Sequence, residues 1–183
     1  KNEILNKVDK IIFHTKNKGK GAAIKSSISL IRGDVIIIQD ADLEYDPEDY
    51  FKLIEPFKNK NINVVYGSRV LGRSKFEKKT FIQIYRIFGN YILTKFSNLI
   101  NNQNLTDAHT CYKIFRSNIF NKITLIEDDF SFCPEVTTKL SKINQIIHEV
   151  PISYNGREYK DGKKIKFSDA LKAVKVIVKY KYF

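Results

Sequence analysis

Asp34-Val35-Ile36-Ile37-Ile38-Gln39-Asp40-Ala41-Asp42-Leu43-Glu44 is the stretch that decides the fold. Its run of β-branched apolar residues predicts a strand buried on both faces, as central strands of parallel sheets are. Carboxylates crowd in directly behind it. Like charges at such density repel one another unless a cation or a helix end compensates them. Further on, Asp46 suits a helix N-cap, Pro47 the first helical position, and Glu48 and Asp49 the first turn, where the helix dipole favours negative charge. Asp40, Asp42 and Glu44 remain, at alternating positions that project to one side if the chain stays extended.

Outward from this stretch, short apolar runs alternate with helical periodicity, which predicts an α/β domain with a mainly parallel sheet. Upstream, Lys10 to His14 reads as a short strand. The Asn17-Lys18-Gly19-Lys20-Gly21 segment then turns the chain into a helix over Ala22 to Ile31. Downstream the expected order is a helix over Pro47–Phe57, a strand over Ile62–Gly67 and a long helix over Glu77–Asn101. A strand over Thr110–Arg116, a helix over Pro134–Lys142, a strand over Ile146–Tyr154 and a helix over Ser168–Lys181 complete it. No repeat or linker divides the chain, so residues 1–183 are expected to form one domain.

Composition narrows the function classes. A net charge of +12 implies a negative partner: nucleic acid, anionic lipid or phosphate-bearing substrates. The lysines are scattered and no RNA-binding aromatic motif or zinc-finger spacing accompanies them, which argues against nucleic acid. Cys111 and Cys133 stand apart without a CxxC pattern, so packing roles are expected rather than a disulfide or zinc site. No stretch reaches the roughly 18 apolar residues that a membrane span requires.

Hard oxygen ligands such as Asp40, Asp42 and Glu44 suit Mg2+ or Mn2+, which hold few protein carboxylates and complete their shell with substrate phosphates. Ligands also bind at the C-terminal edge of strands in open α/β sheets. A solvated acidic turn is the competing reading. An ion gripped by all three carboxylates is ruled out if the side chains point apart, or are plugged by neighbouring lysines with no room for an ion and a pyrophosphate.

Asp40-Ala41-Asp42 resembles the Asp-x-Asp motif of inverting family 2 glycosyltransferases, and its surroundings are similar to those of dolichyl-phosphate mannose synthase and bacterial polyprenyl-phosphate glycosyltransferases. Asn17 to Ala23, Tyr66-Gly67-Ser68-Arg69, Leu105-Thr106-Asp107, and Val150-Pro151-Ile152 leading into Arg157 and Gly162-Lys163-Lys164 follow in the matching order. The resemblance implies a GT-A fold, a nucleotide-sugar donor and a polyprenyl phosphate acceptor at the cytoplasmic, inner face of an anionic membrane. It also implies Mg2+ or Mn2+ held by Asp42 and Glu44, with Asp40 on the metal or the donor. Arg69, Arg86, Arg157, Lys163 and Lys164 become the acceptor-phosphate set, with Arg73 a further candidate, since an arginine fork pairs two phosphate oxygens at once.

Asp107 and Glu135, together with Asp40, are the candidates for catalytic carboxylates, although Glu135 also suits a helix N-terminus without any catalysis. A phosphate monoester, with its second pKa near about 6, is already mostly dianionic at neutral pH. Asp107 is therefore expected to orient arginines rather than to remove a proton. Asn17 and Lys20 are candidates for donor binding, with Gly19 and Gly21 letting backbone amides approach a phosphate; a plain helix start explains them equally. His109-Thr110-Cys111-Tyr112 departs from the Ser-Gly-Phe-like stretch common in the family. The family's opening strands, with Pro-x-Tyr-Asn-Glu and Asp-Asp-x-Ser, do not occur, which predicts an N-terminally truncated domain with an uncovered sheet edge. A saccharide acceptor and a non-catalytic anion-binding α/β module stay open as rival readings.

Overall fold

A computed structural model of the chain describes residues 7–73, 81–156 and 167–183. The elements, in order, are α1 (Lys20–Ser27), β1 (Val35–Ile38), α2 (Tyr50–Ile54), β2 (Val64–Ser68), α3 (Phe81–Asn101), β3 (Lys113–Arg116), α4 (Ser117–Phe120), α5 (Phe132–Lys142), β4 (His148–Pro151) and α6 (Phe167–Tyr182). Single 3-10 turns flank α2 and follow α1. Asp46 caps the turn that Pro47 opens, its carboxylate accepting from the Glu48 amide at 3.0 Å.

The strands form one sheet in the order β1-β3-β2-β4. β3 runs antiparallel to both β1 and β2, and β4 runs parallel to β2. The sheet is therefore mixed: three strands share a direction, in keeping with the mainly parallel sheet expected, but the reversed β3 stands between two of them. One consequence fixes the site. The C-terminal ends of β1, β2 and β4 and the approach to β3 all open on the same edge of the sheet.

Two readings of strand position change. β1, expected at the centre, lies at the sheet's edge, with Val35, Ile36 and Ile37 only partly buried. The strand buried along its whole length is β2. Lys10 to His14 is irregular rather than a strand. Among the described residues no strand offers it a ladder of backbone partners, and an unpaired strand leaves its polar groups unsatisfied. The start of the long helix before Phe81 lies outside the described residues.

Alternation along the strands divides the core between the sheet's two faces. Val64, Tyr66 and Phe115 pack with Phe132, Val136 and Leu140 of α5, with Ile24 of α1 against the same layer. Val65 and Ile114 face the other way, onto Leu53 of α2, Phe57 and Ile152. α6 seals the first layer by packing on α3 and α5.

α3 is built inside out. Asn90, Thr94, Ser97 and Asn101 recur at helical spacing on the face turned inward, where Thr94, Ser97 and Asn101 are buried. The opposite face leaves Ile84, Tyr85, Phe88, Tyr91, Ile92 and Leu99 exposed, Leu99 by 80%. Polar side chains of α3 tie it to neighbouring elements: the Asn101 amide donates to Thr138 at 3.2 Å, and Asn98 exchanges hydrogen bonds with the backbone of Leu105.

Gly72 sits where the chain beyond β2 crosses the strand-exit residue Ile152. A Cβ at Gly72 would lie 2.0 Å from the Ile152 carbonyl oxygen, a backbone atom that cannot rotate away. Gly72→Ala is expected to destabilise by at least the ~1–3 kcal/mol typical of overpacking. Urea unfolding checks this, and an unchanged midpoint contradicts it.

Candidate functional site

At the shared strand edge the best-defined group is Asp107, fully buried. The Arg69 guanidinium grips it from the end of β2, Nε donating to Oδ2 at 2.6 Å and Nη2 to Oδ1 at 2.8 Å. The Arg69 amide adds a bond at 3.2 Å, and Asn90 of α3 donates at 3.1 Å. Burial alone would raise the Asp107 pKa, but the Arg69 charge and these donors outweigh it and hold the carboxyl at about 2. Asp107 is thus a firmly ionised anchor and a weak base.

Arg69 also lies 5.1 Å from the ring centre of Tyr154, whose hydroxyl donates to Glu44 at 3.0 Å. A continuous path, Glu44 to Tyr154 to Arg69 to Asp107, therefore ties the acidic turn to β2. Glu44 is buried and turned toward Tyr154. Asp42 accepts from the Glu44 amide at 3.2 Å, closing a turn in which Leu43 takes φ 60°. Asp40 receives the Lys20 ammonium at 2.7 and 2.9 Å. Burial works against the Lys20 charge, yet the acidic groups around it, Cys133, Cys111 and Asp40, keep its pKa above the ordinary lysine value.

The three carboxylates expected to hold a metal are thus not brought together, and the expected three-ligand ion site fails: Glu44 is held by Tyr154 and Asp40 by Lys20. Leu43 in the left-handed region breaks the extended course that alternation assumed. Among the described residues no group of three His, Cys, Asp or Glu side chains could hold an ion. The donor chemistry fits a smaller site. Mg2+ and Mn2+ need only one or two carboxylates when phosphates and waters complete the shell, and Asp42, with Asp40 two residues before it, supplies that number.

The glycine segment has a packing explanation. Gly19 has φ 97°, and a Cβ at Gly21 would meet the Glu127 carbonyl oxygen at 2.2 Å. The Ala22 amide donates to the Asp128 carbonyl at 3.0 Å, and Asn17 closes a turn on the Gly19 amide at 2.9 Å. These groups dock α1 against residues 127–129. They form no open phosphate cradle, and Lys20 is the one that reaches the strand edge.

Glu135 lies apart from this cluster in its bonding. Its oxygens accept from the Ile126 and Glu127 amides at 2.7 and 3.0 Å and from Lys139 at 2.6 Å, so it fastens a loop to α5. Arg86 lies one helical turn before Asn90 on α3 and is half-buried. Arg73 is half-buried just beyond Gly72. Arg157, Lys163 and Lys164 lie outside the described residues. The departure at 109–112 keeps its packing: the Cys111 amide donates to the Tyr45 hydroxyl at 3.1 Å, and Tyr112 lies between Tyr45 and Tyr50. Burial pushes the Cys111 thiol up to about 12, which leaves it inert at neutral pH.

Sequence reasoning missed Tyr154, Glu149 and Lys113. Glu149 accepts from the Thr106 amide and hydroxyl at 2.7 and 2.9 Å and from the Asp107 amide at 2.9 Å. Its place two residues after the buried Ile147, where alternation turns it to the same face, was the available signal.

With this geometry in view, comparison with known proteins assigns the class. The chain belongs to Glycosyl transferase family 2, which matches residues 3–124. Among individual relatives, the low-salt glycan biosynthesis hexosyltransferase Agl6 of Haloferax volcanii is 28% identical over 148 residues, 81% of this chain and 35% of that protein. The dolichol-phosphate mannosyltransferase of Pyrococcus furiosus is also 28% identical over 148 residues, with 81% and 41% covered. The chain therefore spans well under half the length of either.

Glucosyl-3-phosphoglycerate synthase of Mycobacterium tuberculosis, solved with Mn2+, uridine diphosphate and phosphoglyceric acid, superposes with a TM-score of 0.65. It is 12% identical, with 90% of this chain and 55% of that one covered. At that identity the likeness is one of fold: GT-A-like, a mixed sheet flanked by helices.

Asp107→Asn removes the charge that compensates Arg69. Breaking a buried pair on one side costs about 3–5 kcal/mol, so a corresponding loss of stability is expected at pH 7. The folded pKa of about 2 lies below the ordinary carboxyl value of 3.8, so the ionised form stabilises the fold above pH 4. That contribution fades as pH falls from about 4 through 2. Melting temperatures of wild type and variant should converge over that interval; a constant gap contradicts the account.

Proposed function

We propose that the protein transfers a sugar from a nucleotide-sugar donor to a polyprenyl phosphate at the surface of an anionic membrane, on its cytoplasmic face, with Mg2+ or Mn2+. The observation that carries this reading is the Asp107–Arg69–Tyr154–Glu44 path, which sets a restrained guanidinium beside the acidic turn at one strand edge. In this reading the Asp40 side of the edge takes the donor diphosphate. Arg69 and Arg86 take the acceptor phosphate, joined by Arg157, Lys163 and Lys164.

A divalent ion held by Asp42, with Asp40 beside it, would neutralise charge on the leaving diphosphate. Lys20 supplies a fixed positive charge to the same end. Asp107 keeps the Arg69 fork oriented, and its low basicity suits an acceptor that needs no proton removed.

The membrane part of the proposal has its own support. The exposed face of α3 presents six large apolar side chains with the cation of Lys95 among them, while Thr94, Ser97 and Asn101 are buried. A helix of that kind buries its outer face in another apolar phase, and a chain charge of +12 favours anionic headgroups. Relatives whose names include dolichyl or dolichol phosphate agree with a lipid acceptor. Among the described residues no helix is long and apolar enough to cross a membrane.

The test is a screen of nucleotide-sugar donors with the full-length protein, a polyprenyl phosphate and Mn2+, read by product mass. A glycosylated lipid phosphate is expected, with Asp42→Asn removing the Mn2+ response. Transfer only to saccharide hydroxyls points to the rival acceptor class, and no transfer to either overturns the transferase reading. In parallel, Phe88→Asp should weaken sedimentation with anionic vesicles; equal sedimentation of variant and wild type contradicts the role given to α3.

A further inference from the structure

Lys113 is a cation in the middle of the sheet. It opens β3, paired in register with Ile38 on one side and Tyr66 on the other, and is fully buried. Its ammonium lies 3.7 Å from the centre of the Tyr66 ring and donates to the Ala108 carbonyl at 3.0 Å. Among the described residues no carboxylate pairs with it. An ammonium carries three donors, and removing a charge from water without an ion-pair partner is costly. A methionine of similar length would fill the space without that cost.

The bond to Ala108 gives the cation a use. The backbone groups of Thr106, Asp107 and Ala108 are held by different partners. On the amide side, Glu149 of β4 accepts from Thr106 and Asp107. Thr94 of α3 accepts from the Ala108 amide at 3.3 Å. On the carbonyl side stands Lys113. A carboxylate and an ammonium thus hold the turn from its two ends through charge-assisted hydrogen bonds, which are stronger than neutral ones. Asp107 lies between them.

We propose that Lys113 and Glu149 are positioning residues, a clamp of opposite charges that fixes the Thr106–Ala108 turn so that Asp107 presents Arg69 in the geometry required for transfer. This rests on the transferase reading above. Neither residue is assigned contact with substrate; both act through Asp107.

The surroundings of Lys113 give the clamp a pH signature. Lys20 faces it from α1, Cys133 from α5, Tyr66 from β2, and Asp107, His109 and Cys111 from the segment leading into β3. Burial dominates and brings its pKa down to about 8, against the pull of Cys133 and Asp107. His109, lowered to about 4 chiefly by burial and then by Lys113, is neutral at pH 7 and does not titrate in the same range. Because the folded pKa lies below the ordinary lysine value, folding favours the neutral amine, and this burden on stability eases as pH rises from about 8 toward 10.5. The clamp, in contrast, weakens as the proton leaves.

Lys113→Met separates function from structure. A buried charge replaced by an apolar side chain of similar volume is often neutral or stabilising. The variant should melt no lower than wild type, while kcat falls by about tenfold to a hundredfold, as expected when a reacting geometry slips, with donor KM little changed. Wild-type kcat should decline above about pH 8, following the Lys113 titration, and the variant should lack that limb. Glu149→Gln should lower kcat similarly and speed hydrogen exchange at the Asp107 amide.

Unchanged kcat in Lys113→Met overturns the proposal, as does a fall in melting temperature without loss of kcat. If wild type itself transfers nothing, the transferase reading fails by that result alone. The clamp is then decided by the Asp107 carboxyl titration in NMR: an upward shift from about 2 in Lys113→Met supports it, and an identical titration overturns it.

Discussion

The arrangement of the site depends on one buried contact, the carboxylate of Asp107 held in the fork of Arg69. Each charge would be costly alone in this corner, and together they are tolerable because the guanidinium fills both carboxylate oxygens and Asn90 adds another donor. The pair also joins elements that are distant in sequence: the end of β2, the turn before β3 and the inward face of α3. From Arg69 the same network passes through Tyr154 to the acidic turn after β1. The acidic turn and the Arg69 corner of the edge therefore share one scaffold.

Strand direction explains why these residues meet. β1, β2 and β4 run the same way, so Asp40, Arg69 and Tyr154, which all follow strand ends, emerge together. β3 runs against them, so the segment before it, with Asp107, reaches the same edge. A reversed strand inside an otherwise unidirectional set is what places Asp107 there at all. The polar inner face of α3 then fits a wall made of turns, whose amides and carbonyls need partners; its apolar side is left facing outward.

Local chemistry made much of this legible in the sequence. Val35 to Ile38 announce a strand, Asp46-Pro47 a capped turn, and Asp40 and Asp42 stand out by residue type and spacing, whereas Arg69 and Asp107 stand out only through the resemblance to the family's motifs. Non-local facts were not legible. Alternation placed Glu44 beside Asp42, but Leu43 at positive φ turns it to Tyr154. Gly21 looked like a phosphate approach, whereas the backbone of residues 127–128 fills that space. Lys113 follows Tyr112 and precedes Ile114 in what reads as an ordinary alternating strand, and nothing local says that its polar face is covered by Tyr66. β1 has the composition of a central strand and the position of an edge, because pairing is decided by segments far along the chain.

The central claim is that Arg69, steadied by Asp107, receives the acceptor phosphate and not the donor. Binding tests it without requiring turnover. Calorimetric titration of a short-chain polyprenyl monophosphate, and separately of uridine diphosphate with Mn2+, should be compared between wild type and Arg69→Lys, which keeps the charge beside Asp107 but loses the fork. The account predicts roughly tenfold weaker binding of the lipid phosphate, as for loss of one charge-assisted bond, with diphosphate binding unchanged. Equal weakening of both ligands, or no change in the lipid phosphate, would contradict it.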